Sequence, residues 1–172
     1  MEYTKKRKAY IVISAILLMA VMVTIFLLSA ENGEQSSNTS GTLVKILTAI
    51  LGFTPPEDII RTLGHFCEFA ALGFLSANML FAYKNKLKPV FTALLSLGYA
   101  VTDEIHQIFV PERACQLSDL AVDFGGIILG TIIFSIIYLI IKVHWLKFHI
   151  IFQSKSSNNT TQTSYEYFIT DR

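Results

Sequence analysis

The feature that most constrains this chain is an apolar run without a single charge over residues 10–30. About 20 residues rising 1.5 Å each cross roughly 30 Å, the thickness of the hydrocarbon core of a bilayer. Basic residues at positions 5–8 precede the run, so a cleaved signal peptide is the alternative. Signal peptides have an apolar core of about 7–15 residues and a small-x-small cleavage pattern, which Leu28-Ser29-Ala30 fits poorly. A retained membrane helix is the favoured interpretation.

Composition supports a membrane protein. The chain has 172 residues, of which 52% are hydrophobic and 16% charged, and its formal net charge is +1. The length suits one domain, and the charge balance gives no indication of nucleic acid as a partner. The lipid bilayer is the predicted partner, and the oligomeric state is left open. The predicted fold class is an all-α membrane protein with four transmembrane helices and an additional short interfacial helix.

The segments follow from apolar runs and helix-breaking residues. After the first span, a loop rich in Ser, Asn and Gly precedes an apolar stretch at residues 42–53 that is too short to cross the membrane and favours an interfacial helix. Prolines mark the starts of two further spans, and Ser118 or Asp119 can cap the last. The predicted segments are an exposed loop at 31–40 and later spans at 56–83, 89–110 and 118–143. The predicted regions are a cytoplasmic basic arm at 1–9, a membrane domain at 10–145 and a polar, largely disordered cytoplasmic tail at 146–172.

Orientation follows from the basic residues. All Lys and Arg except Lys45, Arg61 and Arg113 lie in the N-terminal arm, in the loop between the second and third spans, or at and beyond the end of the last span. Because basic loops stay in the cytoplasm, both termini are predicted to be cytoplasmic in a multi-pass protein of the cell membrane. The loops near Ser36 and at 111–118 then face outward.

Ionisable residues within these spans indicate a site. Placing a charge at membrane depth costs roughly 2.5–3.5 kcal/mol on insertion scales, so such a residue is a functional hypothesis by default. At 1.5 Å per residue, three spans place carboxylates at a similar depth near the outer surface. The sequence therefore predicts an outward-facing polar pocket. Its predicted lining is Arg61, His65, Glu68, Asp103, Glu104, Gln107, Arg113, Asp119 and Asp123.

Several of these residues have ordinary structural interpretations. Asp119 alone is typical of a helix cap, and Arg113 alone of a solvated loop. Gly126 and Gly130 form a GxxxG pair, which favours close helix packing. The four acids within the spans could also act only as polar links between helices. Cys67 and Cys115 are expected to be two free thiols.

Crowded carboxylates restrict the states of the pocket. They cannot all remain ionised without partners, so some are protonated, paired with cations, or bound to a metal. No metal-ligand spacing such as HExxH is present. No cofactor is therefore predicted, and the acids support a divalent metal only weakly.

The motifs resemble the VanZ-like family of bacterial membrane proteins. The resemblance covers roughly residues 30–140 and depends on HFCEF at 65–69, DEIHQIF at 103–109, PER at 111–113 and DLAVDFGGIILG at 119–130. Two positions depart from the family pattern: Glu112 stands where Gly is common, and Asp123 where Asn is common. The resemblance implies a small multi-pass protein of the cell envelope, in a family named for a member linked to resistance to teicoplanin, a lipoglycopeptide.

Three functions remain open. The first is a non-enzymatic envelope protein that binds a lipid-linked or lipoglycopeptide amphiphile and affects teicoplanin susceptibility. The second is a membrane-embedded hydrolase or transferase acting on a lipid phosphate or ester. Its catalytic candidates would be Glu68, Asp103, Glu104 and His65, with Arg113 as an anion clamp, although no Ser or Cys nucleophile has an obvious base partner. The third is a structural or partner-binding subunit. Whether the chain is an enzyme is undecided at this stage.

Overall fold

The described part of the chain consists of helices joined by short connections. The computed structural model describes residues 4–113 and 115–170, with side chains through Leu146, and these residues contain five helices and no strand. The predicted all-α class is confirmed. The helices are α1 (Lys5–Ser29), α2 (Gly33–Leu51), α3 (Glu57–Lys84), α4 (Pro89–Gln107) and α5 (Leu117–Thr170). The chain divides into two units, Met1–Ser135 and Ile136–Arg172, and every contact discussed below lies within the first.

Three helices in the described residues are long and apolar enough to cross a membrane. They are α1, α3 and the Leu117–Leu146 part of α5. α4 has 19 residues and carries Asp103 and Glu104 near its end. By length and composition it is not among the candidate membrane spans in the described residues. Large apolar side chains such as Ile16 and Leu27 of α1 and Val90 of α4 are exposed. Apolar side chains on the outside of a bundle are typical of surfaces that face lipid.

The start of α2 corrects the predicted exposed loop at 31–40. α2 begins at Gly33 rather than near Thr42, because Asn32 caps it: its side chain accepts a hydrogen bond from the Gln35 amide, and the Gln35 side chain accepts one from the Asn32 amide. This reciprocal capping box satisfies two amides that otherwise lack partners. Ser36 and Ser40, one helical turn apart, are both buried. What reads as a polar loop is the first half of a helix.

The other helices begin and end close to the predicted residues. α3 begins after Pro56, and Asn85 closes it with a φ of 55°. α4 ends at Gln107, three residues before the predicted end, and the backbone continues in tight turns to Val110.

α5 continues as helix beyond its predicted end near residue 143, to Thr170. No Gly or Pro follows Gly130 in the sequence, so no residue of a helix-breaking type interrupts the segment. Side chains beyond Leu146 lie outside the described residues. The division into basic arm, membrane domain and largely disordered tail therefore stays a prediction.

The core joins four helices. Ile25 of α1, Phe69 and Leu72 of α3, Ala100 of α4 and Ile127 of α5 form one buried cluster. Burying one such large apolar side chain contributes about 1.5–3 kcal/mol in water, whereas in lipid the gain comes mainly from close packing.

Helices α3 and α5 touch backbone to backbone. A Cβ atom at Gly126 would overlap the Phe66 carbonyl, one at Gly130 the Ala70 carbonyl, and one at Gly73 the backbone of Ile127. Only glycine permits this separation, because any side chain would push the helices apart. Gly126 and Gly130 thus lie where α5 meets the face of α3 that contains Phe66 and Ala70.

Candidate functional site

The polar residues gather at one end of the bundle. There α1 and α4 end, and α2, α3 and α5 begin. Asp103, Glu104, Gln107 and Asp123 are all at most 4% exposed. Buried groups of this kind are costly unless they are paired, so their partners decide what the site can do.

His65 and Asp123 form a buried pair between α3 and α5. His65 Nδ1 lies 3.7 Å from Asp123 Oδ1, and the Asp123 side chain is fully buried. Neither Asp123 oxygen accepts a hydrogen bond from the described residues. The separation is longer than a hydrogen bond, so the interaction is electrostatic. Glu68 and Asp119 also lie close enough to His65 to interact with its charge.

Gln107 joins α4 to α1. Its Nε2 donates to Ser29 Oγ at 3.1 Å and to Asp103 Oδ2 at 3.3 Å. The second bond is the i to i+4 contact expected on one helix face. Gln107 therefore holds the Asp103 carboxylate in place and ties it to the end of α1.

Glu104 holds the segment that leads into α5. Its Oε2 accepts a hydrogen bond of 3.0 Å from the Gln116 amide, whereas its buried Oε1 has no partner among the described residues. One oxygen of the Glu104 carboxylate thus fixes the backbone of Gln116, immediately before α5.

Arg113 closes this end of the bundle. Its Nε donates to the Glu31 carbonyl at 3.2 Å, and its buried Nη1 has no partner in the described part of the chain. Burial lowers the pKa of the Arg113 guanidinium, and the nearby positive charge of Arg61 lowers it further. The Gly33 amide also donates to the Pro111 carbonyl at 3.4 Å. The α1–α2 connection is thus fastened to the α4–α5 connection.

Glu112 adopts a left-handed backbone within this connection. Its φ is 61°, a conformation that favours glycine. The VanZ-like pattern commonly has Gly at this position. In this chain Glu112 adopts the left-handed conformation, although its Cβ atom makes that conformation less favourable than it is for Gly.

Two cavities open beside these residues. One, of ≈ 230 Å³, lies between the start of α3 and the start of α5. The other, of ≈ 120 Å³, lies between α1, α2 and α3. Arg61 and His65 line both. The larger is otherwise lined mainly by Asp58, Thr62, Gln116 and Asp119, and the smaller by Ser29, Glu31, Glu68, Arg113 and the apolar Leu28, Leu43 and Ile60.

Comparison with models of known protein families gives a match that covers most of the chain. The sequence model of the VanZ/LLP1 family matches residues 14–142. That range is most of the chain and contains every residue of the site. The chain belongs to the VanZ/LLP1 family. No curated protein and no solved structure matches it.

In this VanZ/LLP1 chain, the predicted site residues fall into two groups. Five of them line the cavities, namely Arg61, His65, Glu68, Arg113 and Asp119. The other four, Asp103, Glu104, Gln107 and Asp123, lie buried outside the cavity linings. The role of each in function stays a prediction. His65 links the two groups, because it lines both cavities and lies 3.7 Å from the buried Asp123.

Other residues of the VanZ/LLP1 site carried little or no sequence signal. The Ser29 hydroxyl accepts a hydrogen bond from Gln107. Glu31 and Gln116 act through backbone atoms, which any residue type could supply. Backbone partners of this kind cannot be read from residue identity.

Two further features of the site concern metal ligands and cysteines. Within the described ranges, no group of three His, Cys, Asp or Glu side chains is spaced to hold a metal ion. Cys67 and Cys115 are exposed and are not joined in a disulfide, in agreement with the expected two free thiols.

Proposed function

We propose that this chain is a multi-pass protein of the cell membrane with four spans and both termini in the cytoplasm. α4 supplies the fourth span, since its 19 residues reach roughly 28 Å at 1.5 Å each. The asymmetry of basic residues supports this orientation. The polar end of the bundle then faces outward in the cell envelope.

The function we propose is binding of an amphiphile, a lipid-linked wall precursor or a lipoglycopeptide such as teicoplanin, at the outer leaflet. The supporting observation is the mixed lining of the smaller cavity. Arg61, His65 and Arg113 offer charge and hydrogen bonds, and Leu28, Leu43 and Ile60 offer apolar surface within the same cavity. Ligand sites of this kind are largely apolar, with a few convergent polar groups. Binding would alter susceptibility to teicoplanin.

Filling the cavity tests this proposal. Gly64 lines the smaller cavity, and a Cβ added there meets no other atom within 4 Å, so Gly64→Leu would occupy the space without a clash at the backbone. Expression of the wild type in a susceptible laboratory strain should change teicoplanin susceptibility more than vancomycin susceptibility, and Gly64→Leu should abolish the difference.

The matched control is Gly98→Leu. Gly98 is exposed on α4, and its Cβ position is equally open, so this variant adds the same side chain away from the cavity. It should behave like the wild type. A Gly64→Leu protein present at the wild-type level in the membrane that retains the full effect would contradict the proposal.

One observation favours a second candidate, a membrane-embedded hydrolase or transferase acting on a lipid phosphate or ester. His65 faces the buried Asp123 and opens onto cavities that contain Arg61 and Arg113. A His held by a carboxylate can carry a proton, and arginines can stabilise developing negative charge. Turnover of lipid phosphates or esters by the purified chain, lost in His65→Gln, would support this candidate. Inactivity across a broad lipid panel would exclude it.

A further inference from the structure

We infer that the smaller cavity recognises a phosphate group, held between Arg61 and Arg113. The inference rests on the proposed amphiphile site and names the chemistry of its headgroup. The phosphate could belong to a lipid headgroup or be free inorganic phosphate, and the experiment below distinguishes these sources.

Arg113 supplies the first argument. Its guanidinium is fixed at one edge by the Nε bond to the Glu31 carbonyl, whereas Nη1 is buried and has no partner among the described residues. A buried donor without a partner costs about 1–3 kcal/mol, and more when it is charged. An acceptor oxygen of a ligand in the adjoining cavity would remove that cost.

Arg61 supplies the second argument. It lines the same cavity as Arg113, and the two positive charges are close enough to repel. The ion-pair contact among the described residues joins His65 to Asp123, and no carboxylate there contacts either guanidinium. An anion between the two arginines would convert their repulsion into two attractions.

The other charges around the cavity restrict where the anion can lie. Glu31 and Glu68 also line it, and both would repel an anion. The Glu31 Oε1 accepts a hydrogen bond from the Thr39 hydroxyl, which leaves the carboxylate charge in place. The phosphate is therefore expected at the arginine side of the cavity, away from Glu68.

Phosphate fits this arrangement better than a carboxylate does. Its tetrahedral oxygens can accept from two guanidinium groups approaching from different directions, whereas a carboxylate commonly pairs side-on with one. The cavity volume of ≈ 120 Å³ leaves room for such a group with ordered water. The apolar residues beside it would contact the first part of an attached chain.

The test measures phosphate binding to the full chain in lipid nanodiscs. Nanodiscs of phosphatidylcholine receive a small fraction of phosphatidic acid, and native mass spectrometry counts the lipids retained by the protein. A second arm omits phosphatidic acid and adds inorganic phosphate. Arg61→Gln and Arg113→Gln should each weaken retention of phosphatidic acid about 10-fold, as expected for loss of a charge-assisted hydrogen bond.

The matched control is Lys45→Gln, which removes an exposed positive charge of α2 outside the cavity lining. It should retain phosphatidic acid like the wild type. The Arg61 side chain makes no hydrogen bond or ion pair with the described residues. Arg61→Gln should therefore keep the wild-type melting temperature, which separates loss of binding from loss of folding. Retention in the phosphatidic acid arm alone assigns the site to a lipid headgroup, and saturation by inorganic phosphate assigns it to the free anion.

Equal retention of phosphatidic acid by wild type, Arg61→Gln and Lys45→Gln, with inorganic phosphate also unbound, would overturn the inference. The amphiphile proposal would survive that result if Gly64→Leu still abolished the teicoplanin effect. The two failures are therefore distinguishable.

Discussion

Asp123 is the residue at which the chemistry of the site is most constrained. It is fully buried, its oxygens accept no hydrogen bond from the described residues, and Nδ1 of its neighbour His65 is 3.7 Å from Oδ1. An ionised carboxylate in such a place costs several kcal/mol unless it is well compensated. If Asp123 is ionised, it lowers the stability of the folded protein; if it is protonated, this cost is avoided.

We expect Asp123→Asn to raise the melting temperature of the purified protein. The amide has nearly the same shape and carries no charge to desolvate, so a gain of roughly 1–3 kcal/mol is expected. Asp119→Asn is the matched control, since Asp119 is only partly buried and should change stability by less than about 0.5 kcal/mol. A lower melting temperature for Asp123→Asn would indicate a stabilising ion pair with His65 instead.

The sequence predicted the composition of the site better than its layout. Membrane depth and helix periodicity placed Glu68, Asp103 and Asp123 near one another, and these charges do lie close enough to interact. Periodicity does not specify how far each helix is rotated about its own axis in the bundle. For that reason the sequence could not show that Glu68 lines a cavity whereas Asp103 and Asp123 lie outside the linings.

At the scale of elements, α2 shows where sequence reasoning failed. Small polar residues from Glu31 to Ser40 are typical of a loop, and composition outweighed the capping signal of Asn32 and Gln35. α3 was predictable because Pro56 and the acidic first turn marked its start. Polar residues can form a helix when small buried side chains, such as Ser36 and Ser40, allow it to pack.

The contact between α3 and α5 gives a prediction about helix packing. Gly126→Ala and Gly130→Ala should each lower the free energy of unfolding by about 1–3 kcal/mol or more, because the new methyl group overlaps the carbonyl of Phe66 or Ala70. Thermal unfolding in detergent, followed by size-exclusion chromatography, measures the loss. Gly98→Ala is the control, since the same methyl group meets no other atom within 4 Å and should be neutral or stabilising. Equal melting temperatures for all three variants would contradict the backbone contact.

For the whole molecule, the proposed topology predicts the accessibility of cysteines. Cys115 lies between α4 and α5, on the side proposed to face outward, and it is exposed. In intact cells a membrane-impermeant maleimide should label Cys115 in a Cys67→Ser background. In a Cys67→Ser, Cys115→Ser background, a Lys86→Cys variant should be labelled only after permeabilisation, because Lys86 lies in the basic loop between α3 and α4.

Labelling of both positions from the same side would show that α4 does not cross the membrane. Length and composition alone single out α1, α3 and α5. The fourth span is therefore the part of the architecture that this experiment decides.

The glycine contact has a mechanical consequence. Helices separated by long side chains can slide, because rotamers change to absorb the movement, but α3 and α5 meet through main-chain atoms that have no such freedom. α3 and residues 117–135 of α5 should therefore move as one rigid body. Any opening that admits a ligand would require movement of α1, α2 or α4, while the distance between His65 and Asp123 stays constant.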